Sequence, residues 1–453
     1  MMQVITAHDL EKMIAERSRS LPYSGVAEAV GRIIEDVRIR GDQALVDNAA
    51  NYDGVRLEPS QIEVPRDETE ASAALVPVSL ARAIDYAAAR VLDFHIATKP
   101  QDQTYIAPDG TRHVRRVEPL SRVGIYAPKG RSGYPSSVVM CASAARAAGV
   151  MDIVLCTPPD GHGKVNPSVL YAAEVCGVSR VFRAGGAAAV AAMAFGTHTV
   201  PRVDKIAGPG NTHVTQAKRL LFGVVGVDTI AGPSEVAILA DSTADAGLVT
   251  ADLLAQAEHG ANSWAFLLTD SPALLEQVRA AALRETGAAE SALRGIEEAS
   301  YATGPARLAA AGVPKAPEPA LGAVTGVVVP DMKAGARLVS ALAPEHLELF
   351  VRDPAQVLPL IRNCGAVFVG PYACAPLGDY ALGPNHVLPT GGAGRFCSGI
   401  STADFVRYVT VSEMPGLPGL ELVNACREIA LAEGYLGHAR AIEARAHLVR
   451  GGP

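Results

Sequence analysis

The sequence predicts an α/β protein with mainly parallel sheets, built as two α/β units. Three observations carry this. From about Val123 onward, short apolar runs end in Gly or Pro and give way to helical segments, the alternation expected of strands and crossover helices. The alternation comes in two stretches, although no short-period repeat links them. The composition suits packed helices and buried strands: 49% of residues are hydrophobic and 19% charged, with only 9 Phe, 12 Tyr and 1 Trp. At 453 residues the chain has room for about two to four domains.

The first clear element is an amphipathic helix. Val26, Val30, Ile33, Ile34 and Val37 share one face, and Gly41 ends the run. A second helix is expected over roughly Leu80–Ala97. Strands are expected at Ile153–Thr157, at Val181–Gly186 leading into an Ala-rich helix Ala187–Phe195, and at Lys205–Asn211. EVAILAD, WAFLLT, GVVVP and AVFVG supply the second stretch. Between Thr286 and Gly326 the chain is rich in Ala, Pro and Gly and reads as an exposed excursion between a helix and the next strand. After Pro415 it is mostly helical, with its charges on one face.

Charge and cysteine usage exclude several classes. The net charge is 40 − 47 = −7, and aromatics are scarce, so nucleic-acid binding is not expected. Seven dispersed cysteines with no CxxC pair argue against a disulfide framework and for a reducing compartment. The N-terminal stretch has no uninterrupted apolar core, as a secretory signal would. The longest uncharged stretch, Ala184–Pro201, contains a Gly pair, a His and a Pro, so it reads as strand, turn and helix rather than a membrane span. A cytoplasmic location is expected.

No GxGxxG dinucleotide fingerprint occurs. Gly185-Gly186 and Gly208-Pro209-Gly210-Asn211 each lie at an expected strand-to-helix turn, where backbone N–H groups can approach a phosphate or simply form a tight turn. Gln256 and His259 fall at i and i+3 on an expected helix, a His and an oxygen donor on one face. Taken alone, a single His is more often structural. Asp379 and His386 sit in a stretch dense in Gly and Pro, read as a site-bearing loop. His438 follows in EGYLGH. Spacing alone makes no zinc motif of these. Glu345-His346 follows Pro344, which places both in the first turn of an expected helix. Their side chains would diverge by about 100° and act as separate tools. His is the natural proton acceptor near neutrality, whereas a glutamate at a helix start is ordinarily a charge–dipole placement.

Together, VDKIAGPGNTHVTQAKR, DTIAGPSEVAILAD, DLLAQAEHG, APEHLEL, GDYALGPNHVLPTGG and EGYLGH closely resemble the histidinol dehydrogenase family, in order, over most of the chain. The resemblance implies oxidation of L-histidinol to L-histidine through the aldehyde, with two NAD molecules and one zinc ion per subunit. It implies Gln256, His259, Asp379 and His438 as zinc ligands, His346 as general base and Glu345 as the residue that activates water. Ser234, His386 and Glu433 match substrate-contacting positions, and Tyr126 and Asn211 match NAD-contacting ones. It implies two incomplete Rossmann-like units and a homodimer in which His438 acts in trans. The expected parts are a helical segment 1–25, one unit from 26–120 with 233–375, a second from 121–232, and a C-terminal part 376–453 exchanged in the dimer.

Three departures from the family's usual pattern stand out. Lys129 stands where a Gly is usual, Ala188 where a cofactor-contacting Gln is usual, and Cys374-Ala375 where Pro-Glu is usual. Lys129 either meets a phosphate or acidic substrate, or faces solvent. Two alternatives to histidinol oxidation are therefore weighed. One is a paralogue acting on another small alcohol or diol, such as a sulfonated propanediol or another amino alcohol. The other is a binding protein that lost catalysis, against which the retained Glu345 and His346 argue.

Overall fold

The protein was analysed as a computed structural model, which describes residues 2–19, 24–130, 133–230, 232–285, 322–416 and 419–450. Its chain forms two compact units: Met1–Thr98 with Ser121–Phe405, and Lys99–Leu120 with Val406–Pro453.

The strands in chain order are β1 (Gln3–Ile5), β2 (Gln103–Ile106), β3 (Arg112–Pro119), β4 (Arg122–Tyr126), β5 (Asp152–Thr157), β6 (Arg180–Arg183), β7 (Lys205–Ala207), β8 (Gly226–Val227), β9 (Glu235–Ala240), β10 (Trp264–Thr269), β11 (Ala323–Val328), β12 (His346–Phe350), β13 (Ala366–Val369) and β14 (Val406–Glu413). The first unit holds two parallel sheets, ordered β6-β5-β4-β7-β8 and β1-β11-β10-β9-β12-β13. Apart from β1 at an edge, both run third, second, first, fourth, fifth by chain order. That is the order of the doubly wound dinucleotide-binding fold without its sixth strand. The two expected α/β units are these two sheets.

The sequence dictates these strands because both faces of each sheet are covered. In β9, Val236, Ile238 and Ala240 enter one core while Ala237 and Leu239 enter the other, so the strand is apolar throughout instead of alternating. β1 was not foreseen. The apolar Val4-Ile5 pair lies against β11, and Thr6 and Asp9 then cap the following helix reciprocally.

The principal helices are α1 (Ala7–Arg19), α2 (Ala27–Arg40), α3 (Asp42–Asn48), α4 (Arg66–Leu75), α5 (Val78–Ala97), α6 (Pro135–Ala148), α7 (Pro167–Cys176), α8 (Gly186–Phe195), α9 (Thr212–Leu221), α10 (Ala246–Ala257), α11 (Met332–Leu342), α12 (Pro354–Val357), α13 (Ala375–Tyr380), α14 (Leu420–Ala432) and α15 (Leu436–Arg450). α2 carries Glu28 in its first turn and Arg38 and Arg40 in its last, matching the helix dipole. α8 is buried from Ala187 to Ala194, as a helix that is apolar all round must be. Residues 26–120 were expected to accompany 233–375. Instead α2, α4 and α5 pack on α8, α7 and α6 beside the five-stranded sheet. The apolar face of α2, with Val30 and Val37, enters that sheet's core.

The second unit is an antiparallel sheet, β14-β3-β2, with α14 and α15. Its sheet went unread in the sequence. The signal was Pro108-Asp109-Gly110 between TYI and HVRRV, a turn in which Gly110 adopts φ +83° and donates its N–H to the Ala107 carbonyl at 2.9 Å. Most of the Ala/Pro-rich excursion, 286–321, lies outside the described residues. No helix among the described residues is long and apolar enough to cross a membrane.

Candidate active site

Glu345 and His346 do not begin a helix. Pro344 and Glu345 lead directly into β12, because HLELF keeps a period of two and all five residues are buried. In this strand His346, Glu348 and Phe350 point one way and Leu347 and Leu349 the other. Phe350 shares a core cluster with Val249 and Leu253, so the His346 face is the one α10 covers. The helix-dipole explanation for Glu345 therefore lapses.

β9 and β12 are neighbours, and the pair sits where they begin. Glu345 Oε2 accepts from the Ser234 hydroxyl at 2.7 Å and from the Glu235 N–H at 3.0 Å. Burial nevertheless pushes Glu345 up to about 7, against the lowering effect of His346 and these two donors. His346 Nδ1 lies 3.1 Å from the Glu235 carbonyl and 3.7 Å from Glu345 Oε2. A carbonyl only accepts, so Nδ1 carries the hydrogen in that contact. Nε2 is then the nitrogen that takes up and releases the titrating proton. It is buried, has no hydrogen-bond partner among the described residues, and stands 3.5 Å from Asp379 Oδ1. Burial works to lower His346, but the carboxylates of Glu345 and Asp379 outweigh it and hold the ring up at about 9.

Asp379 is not in a loop. It closes the short helix α13, while His386 follows in the loop proper. His386 Nδ1 donates to the Asp379 carbonyl at 2.6 Å, which again leaves Nε2 available. Burial lowers His386 and keeps its ring neutral. Burial raises Asp379, yet His346, His386 and His259 together keep it below its ordinary value. The carboxylate thus stands in the field of three imidazoles. Gln256 lies in the last turn of α10, but His259 falls just past the helix end, its N–H donating to the Gln256 carbonyl at 3.2 Å. Gln256 is buried, and its amide nitrogen has no hydrogen-bond partner.

Among the described residues, no group of three His, Cys, Asp or Glu side chains is spaced to hold a metal alone. The amide oxygen of Gln256, an exposed His and a carboxylate ringed by imidazoles are donors that suit a borderline cation. His438 and Glu433 belong to the second unit. Both are exposed, and the His438 ring lies 5.0 Å from the Tyr435 ring.

The second candidate region lies at the carboxyl ends of β4 and β7, where the strand order reverses. Tyr126 ends β4. It is buried, its hydroxyl oxygen accepts the Gly186 N–H at 3.1 Å, and burial pushes the phenol up to about 12. Gly208 adopts φ +116°, and a Cβ there would overlap the Tyr126 carbonyl oxygen. Its N–H donates to Asp228 at 2.8 Å, and its carbonyl accepts from Lys218 at 2.5 Å. Lys218 and Asp228 are themselves a buried pair at 2.5 Å. Removing one partner of such a pair costs about 3–5 kcal/mol, so the turn is firmly held. Asn211 caps α9, its side-chain oxygen accepting from His213 and Val214 N–H at 3.1 Å each. Only its amide nitrogen remains for a ligand.

The departures from the family pattern have distinct surroundings. Lys129 is exposed, and its charge lowers both Asp53 and Asp160, although burial raises Asp53 overall. Ala188 is buried in the core of the five-stranded sheet. Ala375 begins α13 and donates its N–H to Glu348 at 2.7 Å.

Three functional-site residues escaped the sequence reading. Glu235 supplies both backbone groups that hold Glu345 and His346, and its buried side chain meets Arg17 and the Gly391 N–H. Buried Glu348 and half-buried Asp252 are neighbouring acids. Their signal is a lone charge in an otherwise apolar strand or helix, a costly placement unless it is partnered.

A buried imidazole with an unpartnered Nε2 beside a protonatable acid marks an α/β enzyme of proton-transfer chemistry. Comparison with known proteins makes this specific. The profile of the histidinol dehydrogenase family matches residues 16–446. A histidinol dehydrogenase from Gluconobacter oxydans is 42% identical over 97% of this chain and 96% of its own length. One from Methanopyrus kandleri is 38% identical over 96% and 97%. The crystal structure of histidinol dehydrogenase from Elizabethkingia anophelis superposes with a TM-score of 0.86 at 31% identity, covering 99% of both chains. The chain belongs to the histidinol dehydrogenase family, a family of oxidoreductases.

Proposed function

We propose that the protein oxidises L-histidinol to L-histidine in two successive two-electron steps, as a cytoplasmic homodimer. The observation that carries this is the fixed tautomer of His346. The Glu235 carbonyl holds Nδ1–H and leaves Nε2 aimed at the Asp379 cluster. In the first step Nε2 takes the hydroxyl proton of the alcohol. In the second, Glu345 takes a proton from water as its oxygen bonds to the aldehyde carbon, and the resulting hydrate is oxidised to the acid. A carboxyl held at about 7 suits this role, since it is substantially ionised at neutral pH yet still basic. His386 Nε2 and Ser234 flank the substrate, with Glu433 contributed by the C-terminal part.

Gln256, His259, Asp379 and the partner subunit's His438 are the proposed zinc donors, and zinc when bound orients the substrate's nitrogens and offsets the Asp379 charge. NAD is the proposed hydride acceptor in both steps, with Tyr126 and Asn211 lining its cleft at the strand-order reversal. The relatives named above favour histidinol over another alcohol.

The test is NADH formation by purified, zinc-loaded protein with histidinol, set against a panel of amino alcohols and diols. Turnover of another alcohol but not of histidinol would overturn the substrate assignment. Two variants probe the site. His259→Ala is expected to lose zinc by metal analysis, and full retention would remove His259 from the ligand set. Ser234→Ala deletes a hydrogen bond that favours ionised Glu345, so Glu345 rises further. The acid limb of the aldehyde step then moves to higher pH. A limb that stays in place or moves down would deny Ser234 this role.

A further inference from the structure

We propose that Asp252 and Glu348 share a single proton and act as positioning residues, clamping together the three segments that carry the metal donors and the base. The inference rests on the zinc-site reading above.

Glu348 lies two residues after His346, on the same face of β12, and is fully buried. Its Oε1 accepts the N–H of Ala375, the first residue of α13. That helix ends by presenting Asp379 to His346 at 3.5 Å. Glu348 Oε2 is buried and has no hydrogen-bond donor among the described residues. The neighbouring side chain with which the Glu348 carboxyl interacts is that of Asp252. Asp252 sits on α10 one turn before Gln256, so both side chains share a helix face.

Two ionised carboxylates would repel each other here, and neither has a hydrogen to offer. One proton between them removes the repulsion and satisfies the orphaned oxygen in a single bond. Burial, with Asp252 adding to it, raises Glu348 in agreement. The bond joins α10 to β12, and the Ala375 contact joins β12 to α13. Gln256 and His259 thereby keep a fixed distance from Asp379 and His346. The proposed chemistry uses neither carboxyl directly.

The test compares Glu348→Gln with Glu348→Leu in the full chain, reading zinc affinity by competition with a chromogenic chelator and integrity by thermal unfolding. Gln can accept from Ala375 and donate to Asp252, whereas Leu fills the space and severs both links. Zinc affinity is expected to fall about 10–100-fold in Glu348→Leu and to recover to within about threefold of wild type in Glu348→Gln. Equal zinc affinity in Glu348→Leu and wild type overturns the proposal, as does a Gln variant weakened as much as the Leu variant. Should Glu348→Leu not fold, Asp252→Asn against Asp252→Ala decides on the same criterion, since only Asn can donate to Glu348. Wild type and His259→Ala are run alongside. A wild type that binds no zinc brings down the metal reading itself. Zinc lost in His259→Ala but kept in Glu348→Leu sinks the clamp alone.

Discussion

Replacing His346 with alanine lowers the alcohol-oxidation rate by about 10²–10⁴-fold, the range for losing a positioned general base. No nearby group can substitute. Asp379 faces Nε2 but is held below its ordinary value, so it is a poor proton acceptor. Glu345 lies on the Nδ1 side of the ring, 3.7 Å from that nitrogen. The residual activity of His346→Ala is expected to rise with pH, because hydroxide must then take the proton. The aldehyde step, fed directly with the aldehyde, falls less. The measurement is NADH formation from the alcohol and from the aldehyde separately across pH. A loss below tenfold in the alcohol step would remove His346 as the base.

Much of this architecture is legible in the sequence, for physical reasons that also mark where legibility ends. EVAILA and IVLC declare themselves as strands because both their faces are buried. The Ala187–Ala194 run declares a buried helix in the same way. HLELF was misread because a Pro followed by Glu-His mimics a helix start, and five residues are too few for local pattern to overrule that cue. Tertiary context decides it: β9 on one side and β13 on the other supply the ladder partners. The Glu235 carbonyl that sets the tautomer of His346 is invisible to any sequence reading, since a backbone oxygen has no letter of its own. Strand order was likewise hidden. It matters because the two sheets share one order but present opposite ends of their strands. The expected cofactor cleft lies at the carboxyl ends of β4 and β7, whereas the acid–base pair lies at the amino ends of β9 and β12. Fold analogy alone would have placed both at carboxyl ends.

Replacing Glu345 with glutamine separates the two half-reactions. The amide oxygen can still accept from Ser234 and the Glu235 N–H, so the side chain stays in place and loses only its charge and basicity. Aldehyde oxidation is expected to fall about 10²–10⁴-fold, the range for losing a positioned general base. Alcohol oxidation should fall less, and the aldehyde then accumulates where a carbonyl-trapping reagent can capture it. A second effect acts in a different direction. The Glu345 carboxylate is the foremost of the influences that raise His346, so a neutral amide lets the ring's pKa drop. His346 serves as base only when its Nε2 is unprotonated. The acid limb of the alcohol step therefore shifts to lower pH in Glu345→Gln, while the aldehyde step loses rate across the range. Parallel half-reaction measurements over pH read both effects at once. Equal losses in the two steps, with an unmoved alcohol limb, would mean that Glu345 neither activates water nor sets the charge on His346, and that its burial beside Ser234 serves structure alone.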